Sequence, residues 1–195
     1  MAGAPRPGGR SAKVRAAVLG AALAELVDAG YHGLTLDGVA RRAGVHKTTV
    51  YRRWGTRETL LLDAIRERAQ THVPIPDHGS LRADLFDLAR AAIANLRTPE
   101  VGALVRAAVA LAPHDPAVAR AGTAFWSERL GVDGTVVERA VARGEIAGTD
   151  PREVIEAVLG PPYFRVLVTG EAVSDAFLRR VVDRVVDGLP KPGRR

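Results

Sequence analysis

Residues 35–57, TLDGVARRAGVHKTTVYRRWGTR, constrain the fold more than any other stretch. Thr35 stands where a helix N-cap is expected, and Asp37 falls in the first turn, where a carboxylate complements the helix dipole. Val39, Ala40 and Ala43 make a short apolar face. Gly44 follows, the residue that most readily takes positive φ at a helix end. Val45, Val50 and Trp54 then resume the apolar pattern at helical spacing. Two short helices around a glycine turn describe a helix-turn-helix, and Ala40 suits a crossing where only a small side chain fits.

The second of these helices carries His46, Lys47, Thr48, Thr49, Tyr51, Arg52 and Arg53. A helix that enters a major groove needs donors at its N-terminal end for base edges and more along its flanks for phosphates. Lys47 and Thr48 stand where base edges would be reached. The competing reading is an ordinary helical hairpin with a solvated basic face. Charge distribution argues against it. Residues 1–70 hold 12 Lys/Arg against 6 Asp/Glu, whereas residues 71–195 hold 16 of each. The whole +6 of the chain therefore lies in the segment with the helix-turn-helix, the footprint of a domain that binds a polyanion.

With Thr35, Ala43-Gly44-Val45, Thr49-Val50-Tyr51, Trp54 and Thr56-Arg57-Glu58 in these places, the sequence resembles the DNA-binding domain of the TetR family of bacterial transcription regulators over roughly residues 11 to 70. The resemblance implies that Thr35, Thr49, Tyr51, Arg53 and Arg57 touch the DNA backbone or adjoining bases. It departs at His46, where the family often has a serine as the N-cap of the recognition helix.

In chain order, Met1 to Arg10 is a Gly- and Pro-rich basic tail without an apolar pattern, expected to be disordered and not a signal peptide. Arg6, Arg10, Lys13 and Arg15 are candidates to touch a DNA backbone or minor groove, with a merely solvated tail as the plainer reading. Helix 1 is expected from Ser11 or Ala12 to Ala29, with Ser11 as N-cap and Gly30 closing it. Helix 4 starts from Thr56 and fades near Gln70. Residues 72–79, HVPIPDHG, cannot continue a helix and mark a domain boundary. The first domain thus spans 11–71, and a second spans 80–190.

The second domain is helical by pattern, with a helix from Leu81 to Leu96 and later starts at Thr98-Pro99, Asp115-Pro116, Asp150-Pro151 and Ser174. Pro161 and Pro162 should disturb the helix from Arg152 to about Thr169. No stretch alternates at period two for long enough to make a strand, so the fold expected is all-α, with about nine helices. The last two helices are apolar over a wider arc than a surface helix needs. That points to a homodimer interface, with Val158, Tyr163, Leu167, Phe177, Val181 and Val185 as candidates. A monomer with a large core is the alternative. Gly160-Pro161, Tyr163-Phe164-Arg165 and Val168-Thr169-Gly170 also resemble a C-terminal domain common in TetR-type regulators.

The sequence carries no catalytic or metal constellation: no phosphate loop, HExxH motif or serine elbow, no cysteine, and no histidine pair at i, i+4. No cofactor or metal is expected. The reading is a cytoplasmic, sequence-specific regulator of transcription, a repressor by type, that binds a palindromic double-stranded operator as a homodimer and does not engage a membrane. The family resemblance implies a small-molecule effector, still unidentified, among the helices of residues 80–170. Phe86, Arg106, His114, Trp126 and Tyr163 are candidate pocket residues, each equally readable as packing or surface. The alternative is an all-α enzyme or small-molecule-binding protein with only non-specific DNA affinity.

Overall fold

The computed structural model describes residues 9–192, so the expected tail falls outside the described residues up to residue 8, Arg6 included. The described residues form ten α-helices and one π-helical segment, without a strand. They are α1 (Gly9–Gly33), α2 (Leu36–Arg42), α3 (Lys47–Trp54), α4 (Arg57–His72), α5 (Leu81–Leu96), α6 (Pro99–Leu111), α7 (Pro116–Asp133), α8 (Thr135–Ala142) and α9 (Pro151–Phe164). The π segment (Arg165–Thr169) and α10 (Asp175–Gly188) complete the chain. The class is the all-α one expected. Among these helices, none is long and apolar enough to cross a membrane.

Thr98 takes the N-cap position of α6 without a side-chain cap bond, but other start signals read from the sequence recur as hydrogen bonds. Thr35 Oγ1 accepts from Gly38 N at 3.0 Å, Thr56 Oγ1 from Thr59 N at 3.2 Å and Ser174 Oγ from Phe177 N at 3.2 Å. Asp150 Oδ1 accepts from Arg152 N at 2.9 Å. Ser11 is different: α1 already begins at Gly9, so Ser11 lies inside the helix rather than capping it. The helix is interrupted at Gly30, where φ is 67°.

The chain packs as two compact units. The first comprises the residues up to 67 together with 98–122; the second comprises 68–97 and 123 onward. These units cut across the sequence segments 11–71 and 80–190, because α6 packs on α1. Ala103, Leu104, Ala107, Ala108 and Leu111 of α6 lie against the core that Val18, Ala22 and Leu26 of α1 share with Leu34, Val39, Val50 and Leu60.

The second unit is built on α5, whose Leu81, Leu85 and Leu88 are fully buried. Val136 and Val137 of α8, Ile155 and Val158 of α9, and Leu178 and Val182 of α10 close around them. Val158, a candidate for the dimer interface, is only 1% exposed and belongs to this core. The N-terminus of α5 is capped from a distance: Leu81 N donates to the Glu145 carboxylate, 3.0 Å from both oxygens. The helix expected from Asp115, with Gly131 and Gly134 as its points of interruption before Val136, divides into α7 and α8 at Gly134. A Cβ there would lie 3.0 Å from the Pro151 side chain, so the close approach of the α9 start needs a glycine. Pro161 and Pro162 stay within α9 but remove two N–H donors, and the helix widens to π geometry directly after them.

Gly44 takes φ 66° in the turn between α2 and α3, with open space around its Cα. The cost of a side chain there is therefore backbone strain alone. Gly44→Ala is expected to destabilise the protein by about 1–2 kcal/mol, and Gly44→Asn by less, in urea denaturation followed by circular dichroism.

Candidate nucleic-acid interface

The candidate interface is α3, and its two faces have different work. Val50 and Trp54, one helical turn apart, are buried in the first unit's core. Ala40, 2% exposed, lies at the crossing with α2, where Val45 N donates to Ala40 O at 3.0 Å. The opposite face leaves His46, Lys47, Thr48, Tyr51, Arg52 and Arg53 exposed, with Thr49 half-buried at the edge. A single short helix thus turns its apolar side inward and a row of donors outward.

Polar contacts from Trp54 and Tyr51 hold α3 in place. Trp54 Nε1 donates to Asp63 Oδ2 on α4 at 3.0 Å. The same carboxylate accepts from Arg15 of α1, through Nε at 3.2 Å and a terminal nitrogen at 2.5 Å, and Arg15 also pairs with Glu67. Burial opposes ionisation of Asp63, but the bonds from Arg15 and Trp54 outweigh it and keep its pKa below the ordinary carboxyl value. One turn earlier, Tyr51 donates its hydroxyl to Asp37 Oδ2 on α2 at 3.2 Å, although the residue remains 46% exposed. The negative charge of Asp37 and partial burial raise the Tyr51 pKa. Arg42 of α2 pairs with Glu25 at 2.9 Å and Asp28 at 2.5 Å on α1.

The remaining sequence candidates divide by environment. Thr35 is exposed and engaged as the α2 cap. His46 is the N-cap of α3 but makes no side-chain cap bond; its Nδ1 lies 2.9 Å from Thr48 Oγ1 instead. The Arg53 guanidinium lies 5.2 Å from the centre of the Trp54 ring. Arg57 is half-buried and turned into its own unit: Nε donates to Glu58 Oε1 at 2.9 Å, a terminal nitrogen to Tyr31 O at 3.3 Å, and the guanidinium covers the Tyr31 ring at 4.2 Å.

The candidate pocket residues also separate. Arg106 and His114 are exposed in the first unit. In the second, Trp126 meets Tyr163 edge-on at 5.7 Å and Phe125 at 5.1 Å, whereas Phe86 lies under Arg179 at 4.3 Å. Burial, with a smaller effect of the Asp133 charge, raises the Tyr163 pKa. Arg129 and Asp133 form a buried ion pair on α7, and Arg129 also donates to Val73 O at 3.0 Å. Burial, only partly offset by Arg129, raises the Asp133 pKa. The sequence reading passed over this pair, although its i, i+4 spacing was available. Among the described residues no cluster of three or more metal-ligating side chains occurs.

The fold and this interface define a helix-turn-helix DNA-binding protein. Comparisons agree in detail: residues 18–64 match the bacterial regulatory proteins of the tetR family, and residues 75–185 match a tetracyclin repressor-like C-terminal domain. The HTH-type transcriptional regulator AqdR of Rhodococcus erythropolis is 35% identical over 92% of this chain and 86% of its own length. The DNA-binding transcriptional repressor TetR of Mycobacteroides abscessus is 34% identical over 92% of this chain and 95% of its own. The crystal structure of the TetR family transcription regulator SCO0332 superposes with a TM-score of 0.77 at 30% identity, covering 90% of this chain and 98% of that one. The chain belongs to the TetR family of transcription regulators, which are DNA-binding proteins and not enzymes.

Glu58 ties α4 to Tyr31 beneath the interface. It accepts from the Tyr31 hydroxyl at 2.7 Å and from Arg57 Nε. Burial opposes its charge, but these two bonds prevail and hold its pKa at about 2, against an ordinary 4.5. Its contribution to stability is therefore complete above pH 4.5 and is lost as the pH falls through about 2. Urea midpoints measured across that range should show the gap between wild type and Glu58→Gln narrowing steadily toward acid.

Proposed function

We propose that the protein is a repressor that binds a palindromic operator as a homodimer, with α3 in the major groove and a small-molecule effector controlling binding from the C-terminal unit. The observation that carries this reading is the two-sided α3. Buried Val50 and Trp54 fix its inner face, and Lys47, Thr48 and Arg52 are exposed on the outer one. The basic excess of residues 1–70 supports attraction to phosphate. Lys47 and Thr48 read base edges, while Thr35, Thr49, Tyr51, Arg52 and Arg53 contact the backbone. His46 borders the bases. Arg57 supports the head from inside, given its contacts with Tyr31 and Glu58. Such a regulator works in the cytoplasm, where its DNA is.

Dimerisation follows from specificity: one recognition helix reads only a few base pairs, whereas two heads read two half-sites about 34–36 Å apart. The candidate surface is the apolar strip where α9 passes into the π segment. Phe164 is 57% and Val168 67% exposed, with Leu167 and Tyr163 half-buried beside them. Phe177, Val181 and Val185 of α10 are less available. Val181 is 9% exposed, Phe177 lies under Arg165 at 4.0 Å, and Phe177 and Val185 pack on the subunit's own core. For the effector, Trp126 and Tyr163 with the buried Arg129–Asp133 pair offer aromatic surface beside charge, which suits a small molecule that is part aromatic and part polar.

Two experiments test the proposal. Lys47→Ala is expected to cost about 1–3 kcal/mol of affinity for the best operator and to relax selectivity at one base pair, in competition binding. Unchanged selectivity would reduce Lys47 to a phosphate contact. Phe164→Glu and Val168→Glu are expected to sediment as monomers with an unaltered helical spectrum and to lose operator binding far more than non-specific binding. Dimers that bind normally would place the interface elsewhere.

A further inference from the structure

We propose that His46 is a specificity-determining residue, because it sets whether Thr48 acts as hydrogen-bond donor or acceptor toward a base. The inference rests on the reading that α3 enters the major groove. Both side chains are exposed at the N-terminal end of α3, the end that a recognition helix turns toward base edges. His46 occupies the N-cap position without capping any backbone N–H, so its ring is free for another partner. That partner is Thr48: Nδ1 and Oγ1 are 2.9 Å apart, a full hydrogen bond.

A threonine hydroxyl has one hydrogen and two lone pairs, and the ring nitrogen decides which of them is used. If Nδ1 accepts, the Thr48 hydrogen is consumed and only lone pairs face the groove. Thr48 then reads an amino group, adenine N6 or cytosine N4. If Nδ1 carries a proton and donates, the Thr48 hydrogen is released toward guanine O6 or N7, or thymine O4. The direction of the His46–Thr48 bond therefore decides what Thr48 reads.

The surroundings favour the first arrangement for the unprotonated ring. Nδ1 lies at the positive end of α3, where a lone pair is better placed than an N–H. On α3 itself the charged groups are Lys47, Arg52 and Arg53, all basic. On α2, which packs against α3, they are Asp37, bonded by Tyr51; Arg41, exposed; and Arg42, paired with Glu25 and Asp28. Thr48 is thus assigned as an acceptor toward the base.

The test is competition binding of the full-length protein to every single-base-pair variant of its preferred duplex. It uses wild type, His46→Ala, Thr48→Val and the double variant. Wild type at about pH 8 should favour a base with an amino group at one position per half-site by roughly tenfold. His46→Ala should reduce that preference to about twofold or less, with the other positions unchanged, and the double variant should match Thr48→Val. A preference matrix for His46→Ala that equals wild type would overturn the inference while leaving the reading of α3 intact. A wild type that distinguishes no duplex from any other would overturn both.

Discussion

The interface depends on one carboxylate. Asp63 stands on α4, receives the Trp54 indole from α3 and is gripped by the Arg15 guanidinium from α1. Three helices that share few backbone contacts are joined at one acceptor, and each donor would otherwise face the edge of an apolar core. An unmet indole N–H costs more than the net gain of a typical hydrogen bond, so the arrangement fixes the roll of α3 as well as its position. Roll matters here because a small rotation would bury Lys47 or expose Val50. The donors on the outer face are useful only at a fixed angle.

The second unit solves a different problem. Its core is ordinary aliphatic packing around α5, but it also holds Asp84 fully buried, with His78 N donating to it at 2.6 Å, and the Arg129–Asp133 pair. Buried charges of this kind contribute little net stability, yet removing one partner is costly. They restrict how the helices can be arranged. Apolar surface left uncovered collects at the π segment, where two prolines have already spoiled the regular helix.

The features legible in the sequence were those with local causes. Thr35, Thr56, Asp150 and Ser174 cap as expected because a cap needs only the next two or three residues. Gly44 and the Val50–Trp54 spacing were legible for the same reason. What the sequence hid lies far apart along the chain: Glu145 capping α5, Asp63 joining Arg15 to Trp54, and α6 packing on α1. Arg57 looked like a phosphate ligand from its place in the motif, but Tyr31 and Glu58 lie close enough to hold it. Val158 looked like interface because a wide apolar arc does not say which part faces the core. The break between α7 and α8 was legible at Gly134 as a glycine interruption, whereas the approach of Pro151 to it was not.

The central claim is that two copies of α3 read one symmetric DNA site. Selection of bound duplexes from a random pool by the wild-type protein tests it directly. The account predicts an enriched inverted repeat whose half-sites are centred about 34–36 Å apart, or a multiple of that spacing. Recovery of a single unrepeated half-site, or of duplexes with no shared sequence, would contradict it.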